Sequence, residues 1–83
     1  MARPSGPVRT ASPVTRQFFL HLRASKTPEV EIARKSGMST TTLYDWRVGN
    51  ADASVFRLES ALDVLGLELV IRPKTQHQGE PSQ

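Results

Sequence analysis

One tight turn near the middle of the chain constrains the fold more than any other feature. Gly37 follows a helical pattern and suits the left-handed conformation that ends a helix. Only Met38 separates it from Ser39, a favourable N-cap for a following helix. The pattern therefore predicts a helix over residues 40 to about 48, joined closely to the helix before it.

The preceding helix has its own start signal at Thr27-Pro28. Thr27 is expected to be the N-cap and Pro28 the first helical residue, where proline loses no hydrogen bond. Glu29 and Glu31 then fall in the first turn, where the helix dipole favours acids. We expect this second helix to end at Gly37.

Two further helices and one strand complete the expected order of elements. Phe18, Phe19 and Leu22 recur at helical spacing and predict a first helix over 14–26, capped by Ser12 or Thr15. The third helix is expected to end at Gly49. Ser54 then caps a fourth helix that runs to Gly66, and its apolar stripe consists of Val55, Leu58, Ala61, Leu62 and Leu65. The branched residues of 67–72 predict a short strand that Pro73 stops.

Composition limits the classes of function. The chain has 83 residues, a net charge of +3 and no cysteine, which suits one small binding domain and excludes disulfides and cysteine-based zinc sites. His21 and His77 lie far apart, so we expect no metal and no cofactor. No apolar run is long enough for a membrane span, so the expectation is a cytoplasmic protein without a membrane partner.

The chain is expected to divide into three parts. Residues 1–13 are rich in proline, glycine, serine and arginine and predict a flexible basic arm. Residues 14–73 form the folded domain, and 74–83 are a polar tail expected to be disordered. No acid occurs before Glu29, and a basic end of this kind favours a polyanionic partner.

Two short helices joined by a glycine-containing turn are the helix-turn-helix pattern. Here Ala33 supplies the small residue at the helix crossing, while Met38 fills the space beneath the turn. The stretch EVEIARKSGMSTTTLYDWRVG, residues 29–49, resembles the phage lambda repressor-like, or XRE-type, helix-turn-helix family. The positions that carry the resemblance are Ile32-Ala33, Gly37, Ser39, Leu43, Trp46 and Gly49. It implies an all-α fold of four helices, here with a short C-terminal β-strand.

The resemblance also implies a DNA-binding face on the third helix. In that family the N-terminal part of this helix reads bases in the major groove of double-stranded DNA. Carried over by position, the base-contacting candidates are Thr40, Thr41, Tyr44 and Asp45. The helical wheel agrees for Thr41, Tyr44 and Asp45, because Leu43 and Trp46 face inward. Phosphate contacts are expected from Ser39, Arg47 and Asn50.

Ser36 stands where the family usually has an apolar residue, and the link between the first two helices is about one residue short. Two charged positions also depart from the family pattern. Arg47 stands where many members carry an acid that pairs with an arginine of the first helix. Glu29 stands where some members carry an amide that contacts phosphate. The fold does not depend on either change.

The predicted strand suggests a dimer. A lone strand leaves its backbone groups unpaired, and a second copy of the chain would supply the missing partner. We expect residues 67–71 to pair antiparallel across a twofold axis, with Leu67, Leu69, Val70 and Ile71 at the interface. Such a dimer would read a palindromic site. A fifth helix, or a strand docked on another protein, are the alternatives.

The expected function is a sequence-specific transcriptional regulator, in particular a repressor that blocks a promoter. One alternative is an antitoxin that represses its own operon and binds a toxin. A second is a helical interaction module without DNA binding, favoured by the modest charge and by Asp45. An enzyme is the remotest class, because there is no glycine-rich phosphate loop, no cysteine and no histidine–carboxylate pair near a nucleophile.

Overall fold

The computed structural model describes residues 6–74, and the regular structure in that range is helical. The helices span Pro13–Ala24 (α1), Glu29–Ser36 (α2), Thr40–Val48 (α3) and Val55–Val64 (α4). The prediction of a small domain with four helices is therefore confirmed for the described residues.

Serine side chains begin three of these helices. The Oγ atoms of Ser12, Ser39 and Ser54 accept hydrogen bonds from the backbone N–H groups of Thr15, Thr42 and Arg57 at 3.1–3.2 Å. Each bond satisfies a donor in the first turn that has no partner within the helix. The helices thus begin where their local sequence predicts.

The junction between α1 and α2 differs from the prediction. α1 ends at Ala24 rather than Lys26, and Lys26 adopts a left-handed conformation with φ 59°. Pro28 is the N-cap of α2 rather than its first helical residue, with φ −68° and ψ 147°. Thr27 makes no cap; its Oγ1 lies 2.9 Å from Ser25 Oγ. The prediction placed the start of α2 one residue too early, because proline fits the extended N-cap position as well as the first helical position.

The core lies where all four helices meet. Its most deeply buried large side chains are Phe18 and Phe19 of α1, Ile32 of α2 and Leu43 of α3. The Phe18 ring packs edge to face on Phe19 at 4.8 Å between centroids and on Trp46 at 6.5 Å. The other buried apolar residues are Leu22, Ala33, Leu58, Ala61 and Leu62.

The apolar spacing predicted a longer buried stripe on α4 than the structure has. Val55, counted in that stripe, is 66% exposed, and its neighbour Phe56 is 77% exposed. Leu65 is only partly buried against the core. Val55 lies in the first turn of α4, so the buried stripe begins one turn later, at Leu58.

Residues 67–74 have neither helical nor strand structure in this single chain. Leu67 and Leu69 pack against the core while Glu68 and Val70 are exposed, an alternation typical of extended backbone. A strand requires a hydrogen-bonded partner, so the predicted strand stays a prediction. Most of the expected tail, 75–83, and residues 1–5 of the expected arm lie outside the described residues.

Candidate nucleic-acid interface

The turn between α2 and α3 has the geometry that its sequence demands. Gly37 caps α2 in the left-handed region, with φ 75° and ψ 26°. The Met38 N–H donates to Ala33 O at 2.8 Å, and the Met38 side chain is partly buried against the core. Ser39 then begins α3. Since only Gly37, Met38 and Ser39 separate the helices, α3 has little freedom to move relative to α2.

α3 has one face in the core and one in solvent. Leu43 is fully buried and Trp46 is 3% exposed, so they anchor the helix. Thr40, Thr41 and Tyr44, three of the four base-contacting candidates, are exposed. These residues present two hydroxyl groups and a phenol on one surface.

Asp45, the fourth candidate, is half-buried and already has a partner. Its Oδ1 accepts a hydrogen bond from Asn50 Nδ2 at 3.4 Å, and its carbonyl accepts from Gly49, Asn50 and Ala51. Asp45 therefore helps to close the C-terminal end of α3. Asn50, a phosphate candidate, is exposed beside it.

Arg47, a predicted phosphate contact, is buried rather than exposed to solvent. It is buried, with 7% of the residue exposed, and its Nε donates to Glu29 Oε2 at 3.1 Å. Its Nη1 donates to Pro7 O at 3.3 Å, and its guanidinium lies 5.3 Å from the centre of the Tyr44 ring. The two charged positions that depart from the family pattern, Glu29 and Arg47, thus pair with each other.

The segment before α1 is held against α1 and α3, although its sequence predicts a flexible arm. The N–H groups of Arg9 and Thr10 both donate to Arg47 O, at 2.7 and 3.1 Å. Thr10 is 3% exposed, and Val8 packs against the core. Residues 6–12, the described part of this segment, are therefore attached to the domain.

Arginine side chains hold this segment by its backbone carbonyls. Arg16 donates to Val8 O at 3.1 Å and to Thr10 O at 2.8 Å. Arg23 donates to Gly6 O, and Arg47 holds Pro7 O as described above. Sequence reasoning missed these contacts, because a backbone carbonyl leaves no signature in the sequence.

The outer face of α2 carries a separate ion pair. Lys35 Nζ lies 3.0 Å from Glu31 Oε2, and Arg34 Nη2 lies 4.0 Å from the same oxygen. The hydrogen bond from Lys35, together with the charges of Lys35 and Arg34, lowers the pKa of Glu31. The cations of α2 are thus partly neutralised by their own helix.

The described part of the chain contains no cluster of histidine, cysteine or carboxylate side chains that could hold a metal ion. None of the helices within residues 6–74 is long and apolar enough to cross a membrane. The carboxylates of Glu59 and Asp63 lie together on α4, beside Glu68 of the following segment.

No protein-family model, curated protein or solved structure matches this chain in sequence or fold comparisons. The resemblance to lambda repressor-like proteins therefore depends on the sequence pattern of residues 29–49 alone.

Proposed function

We propose that the chain is a sequence-specific DNA-binding regulator of transcription whose α3 enters the major groove. The observation that carries this proposal is the two-faced α3. Leu43 and Trp46 fix its inner face, while Thr40, Thr41 and Tyr44 project from the opposite face directly after a three-residue turn. An exposed polar helix face on a rigid support is what base readout requires.

Each exposed side chain of α3 has chemistry that suits base edges. A threonine hydroxyl donates or accepts a hydrogen bond, and its methyl group contacts the methyl group of thymine. Thr41 lies in the first turn, the part of a recognition helix that reaches deepest into the groove. Asp45 would accept from cytosine N4 through Oδ2, while Oδ1 keeps its bond to Asn50.

Phosphate contacts would flank the base contacts. The free N–H groups at the start of α3, beside the Ser39 cap, are oriented for an anionic oxygen. Asn50 offers its carboxamide at the other end of the helix. A phosphate held at each end would orient α3 in the groove without reading sequence.

A twofold dimer would give the protein a palindromic site. Val70 is 66% exposed and Ile71 is fully exposed, whereas Leu67 and Leu69 already pack on their own core. Antiparallel pairing of residues 67–71 with a second copy would satisfy backbone groups and cover Val70 and Ile71. The apolar contribution to such an interface then comes mainly from Val70 and Ile71. The regulation that we propose is repression of transcription.

A protein-interaction module is the second candidate, favoured by the outer face of α4. Phe56 is 77% exposed there, and Glu59 and Asp63 follow it by one and two turns of the same helix. An apolar and acidic face repels DNA and suits a protein partner, including a toxin if the chain is an antitoxin.

The experiment that tests the proposal is selection of bound sequences from a random duplex pool at moderate salt. The wild type should enrich a palindrome, and Thr41→Ala should weaken binding to it by about 1 kcal/mol, roughly fivefold, through loss of a base contact. Thr27→Ala is the matched control, because it removes the same threonine hydroxyl at a position outside α3. Its affinity should equal that of the wild type.

Three outcomes would change the proposal. Enrichment of a single half-site would remove the dimer but keep DNA reading by α3. Equal losses for Thr41→Ala and Thr27→Ala would show that Thr41 does not read bases. No enrichment at all would favour the interaction module.

A further inference from the structure

An open pocket of about 540 Å³ lies where the N-terminal segment crosses the end of α3. We call it the arm pocket. Its lining combines residues that precede α1 with residues from the C-terminal half of α3 and just beyond it: Gly6, Pro7, Arg9, Tyr44, Arg47, Val48 and Asn50. The pocket exists only because the segment is docked on α3.

The charges around the arm pocket favour an anion. Arg47 lies in its wall, more than nine-tenths buried, and Glu29 balances its charge. Arg9 is exposed at the rim, and no ion pair or side-chain hydrogen bond joins it to any of residues 6–74. No carboxylate among the described residues lines the pocket; that of Asp45 lies behind the lining, where its Oδ1 accepts one hydrogen bond from Asn50 Nδ2 at 3.4 Å. Since Glu29 neutralises Arg47, the positive charge available to an anion in this pocket is that of Arg9.

Neutral donors complete the arm pocket. The Tyr44 side chain is about half exposed and is held in place by stacking near the Arg47 guanidinium, 5.3 Å from the ring centre. Asn50 adds a carboxamide group. A guanidinium, a phenol and an amide around one open space make a suitable donor set for the oxygens of a phosphate group.

We propose that the arm pocket binds one phosphate group, with Arg9 supplying the charge and Tyr44 and Asn50 supplying hydrogen bonds. This inference rests on the proposed function, since the phosphate it favours belongs to a DNA backbone. Tyr44 belongs both to the pocket and to the exposed face of α3, so a duplex that contacts that face lies beside the pocket. Inorganic phosphate has the same chemistry and is the other source.

The first test measures affinity for the selected duplex as a function of salt concentration. Arg9→Ala should reduce the slope of log K against log salt by about 0.9, the loss of one phosphate contact. If the wild type and Arg9→Ala bind equally at 1 M salt, this difference in slope makes the variant bind about fivefold more weakly at 0.15 M. Arg57→Ala is the control, since it removes one exposed arginine outside the arm pocket. It should leave the slope unchanged.

The second test separates the two sources of phosphate. Amide NMR spectra of the wild type and of Arg9→Ala are compared in sodium phosphate and in sodium chloride of equal ionic strength. Shifts at Arg9, Tyr44 and Asn50 that Arg9→Ala removes would show that the pocket takes free phosphate. A reduced salt slope without such shifts would assign it to the DNA backbone.

The results distinguish this inference from the proposed function. Equal changes in slope for Arg9→Ala and Arg57→Ala, without phosphate shifts, would overturn the arm pocket but leave DNA binding by α3 intact. Phosphate shifts that depend on Arg9, in a wild type that binds no duplex, would establish the pocket and overturn the proposed function. The absence of both duplex binding and phosphate shifts would overturn both the arm pocket and the proposed function.

Discussion

Two glutamates of α2 form ion pairs of nearly equal length, and they show how little a distance says about an interaction. Glu29 at the start of α2 lies 3.1 Å from Arg47, and Glu31 two residues later lies 3.0 Å from Lys35. The side chains of the first pair are 9% and 16% exposed, whereas those of the second are 50% and 38% exposed. Water screens the second pair and is largely excluded from the first.

The two pairs also differ in what they connect. Glu31 and Lys35 are one turn apart and only reinforce their own helix. Arg47 joins α2 to α3 and, through Pro7 O and its own carbonyl, holds the segment before α1. The buried pair therefore supports the candidate interface, and the exposed pair does not. Three variants test this contrast.

The largest effect is expected from Glu29→Ala. It leaves the Arg47 guanidinium buried without its carboxylate, and breaking a buried pair in this way costs about 3 kcal/mol. Urea unfolding at pH 7 measures the loss, with Glu68→Ala as the control because Glu68 is an exposed glutamate. A loss no larger than that of the control would show that Arg47 does not depend on Glu29.

A smaller effect is expected when both charges of the buried pair are replaced. Glu29→Leu combined with Arg47→Met removes the desolvation cost together with the attraction, so stability should return to within about 1 kcal/mol of the wild type. The bond to Pro7 O and the guanidinium in the wall of the arm pocket are lost, however, so affinity for the selected duplex should stay reduced. A double variant as unstable as Glu29→Ala would instead assign the stability to the bond with Pro7.

The smallest effect is expected from Glu31→Gln. Lys35 lowers the pKa of Glu31 in the folded chain below its ordinary value of 4.5. The pair therefore stabilises the fold above the unfolded pKa, and this contribution disappears as pH falls through the lower, folded pKa. The midpoint of urea unfolding should differ slightly between wild type and Glu31→Gln at pH 7 and coincide at pH 2. A midpoint difference that persists at pH 2 would contradict this account.

Much of the fold follows from local sequence signals. Ser12, Ser39 and Ser54 cap helices as expected, and Gly37 takes the left-handed conformation at the end of α2. These features involve residues within four positions of each other, so the sequence contains both partners side by side. The inward and outward faces of α3 follow for the same reason, since the helical repeat is fixed by backbone geometry.

The environment of Arg47 could not be predicted in this way. Its partners are Glu29 and Pro7, 18 and 40 positions away along the chain. Many exposed arginines have the same local sequence context, and only the packing of α2, α3 and the N-terminal segment excludes water here. The docking of residues 6–12 is also largely non-local, because Arg9 and Thr10 donate to Arg47 O and because Arg23 and Arg47 hold the carbonyls of Gly6 and Pro7.

The sequence by itself determined where the helices begin and end, to within two or three residues, and which face of α3 meets solvent. Those properties depend on steric and hydrogen-bond preferences of neighbouring residues. Tertiary structure alone decided that Arg47 is buried, that the segment before α1 is docked, and that Arg9, Tyr44 and Asn50 surround one pocket. Such a juxtaposition depends on how the elements pack, and no spacing along the chain records it.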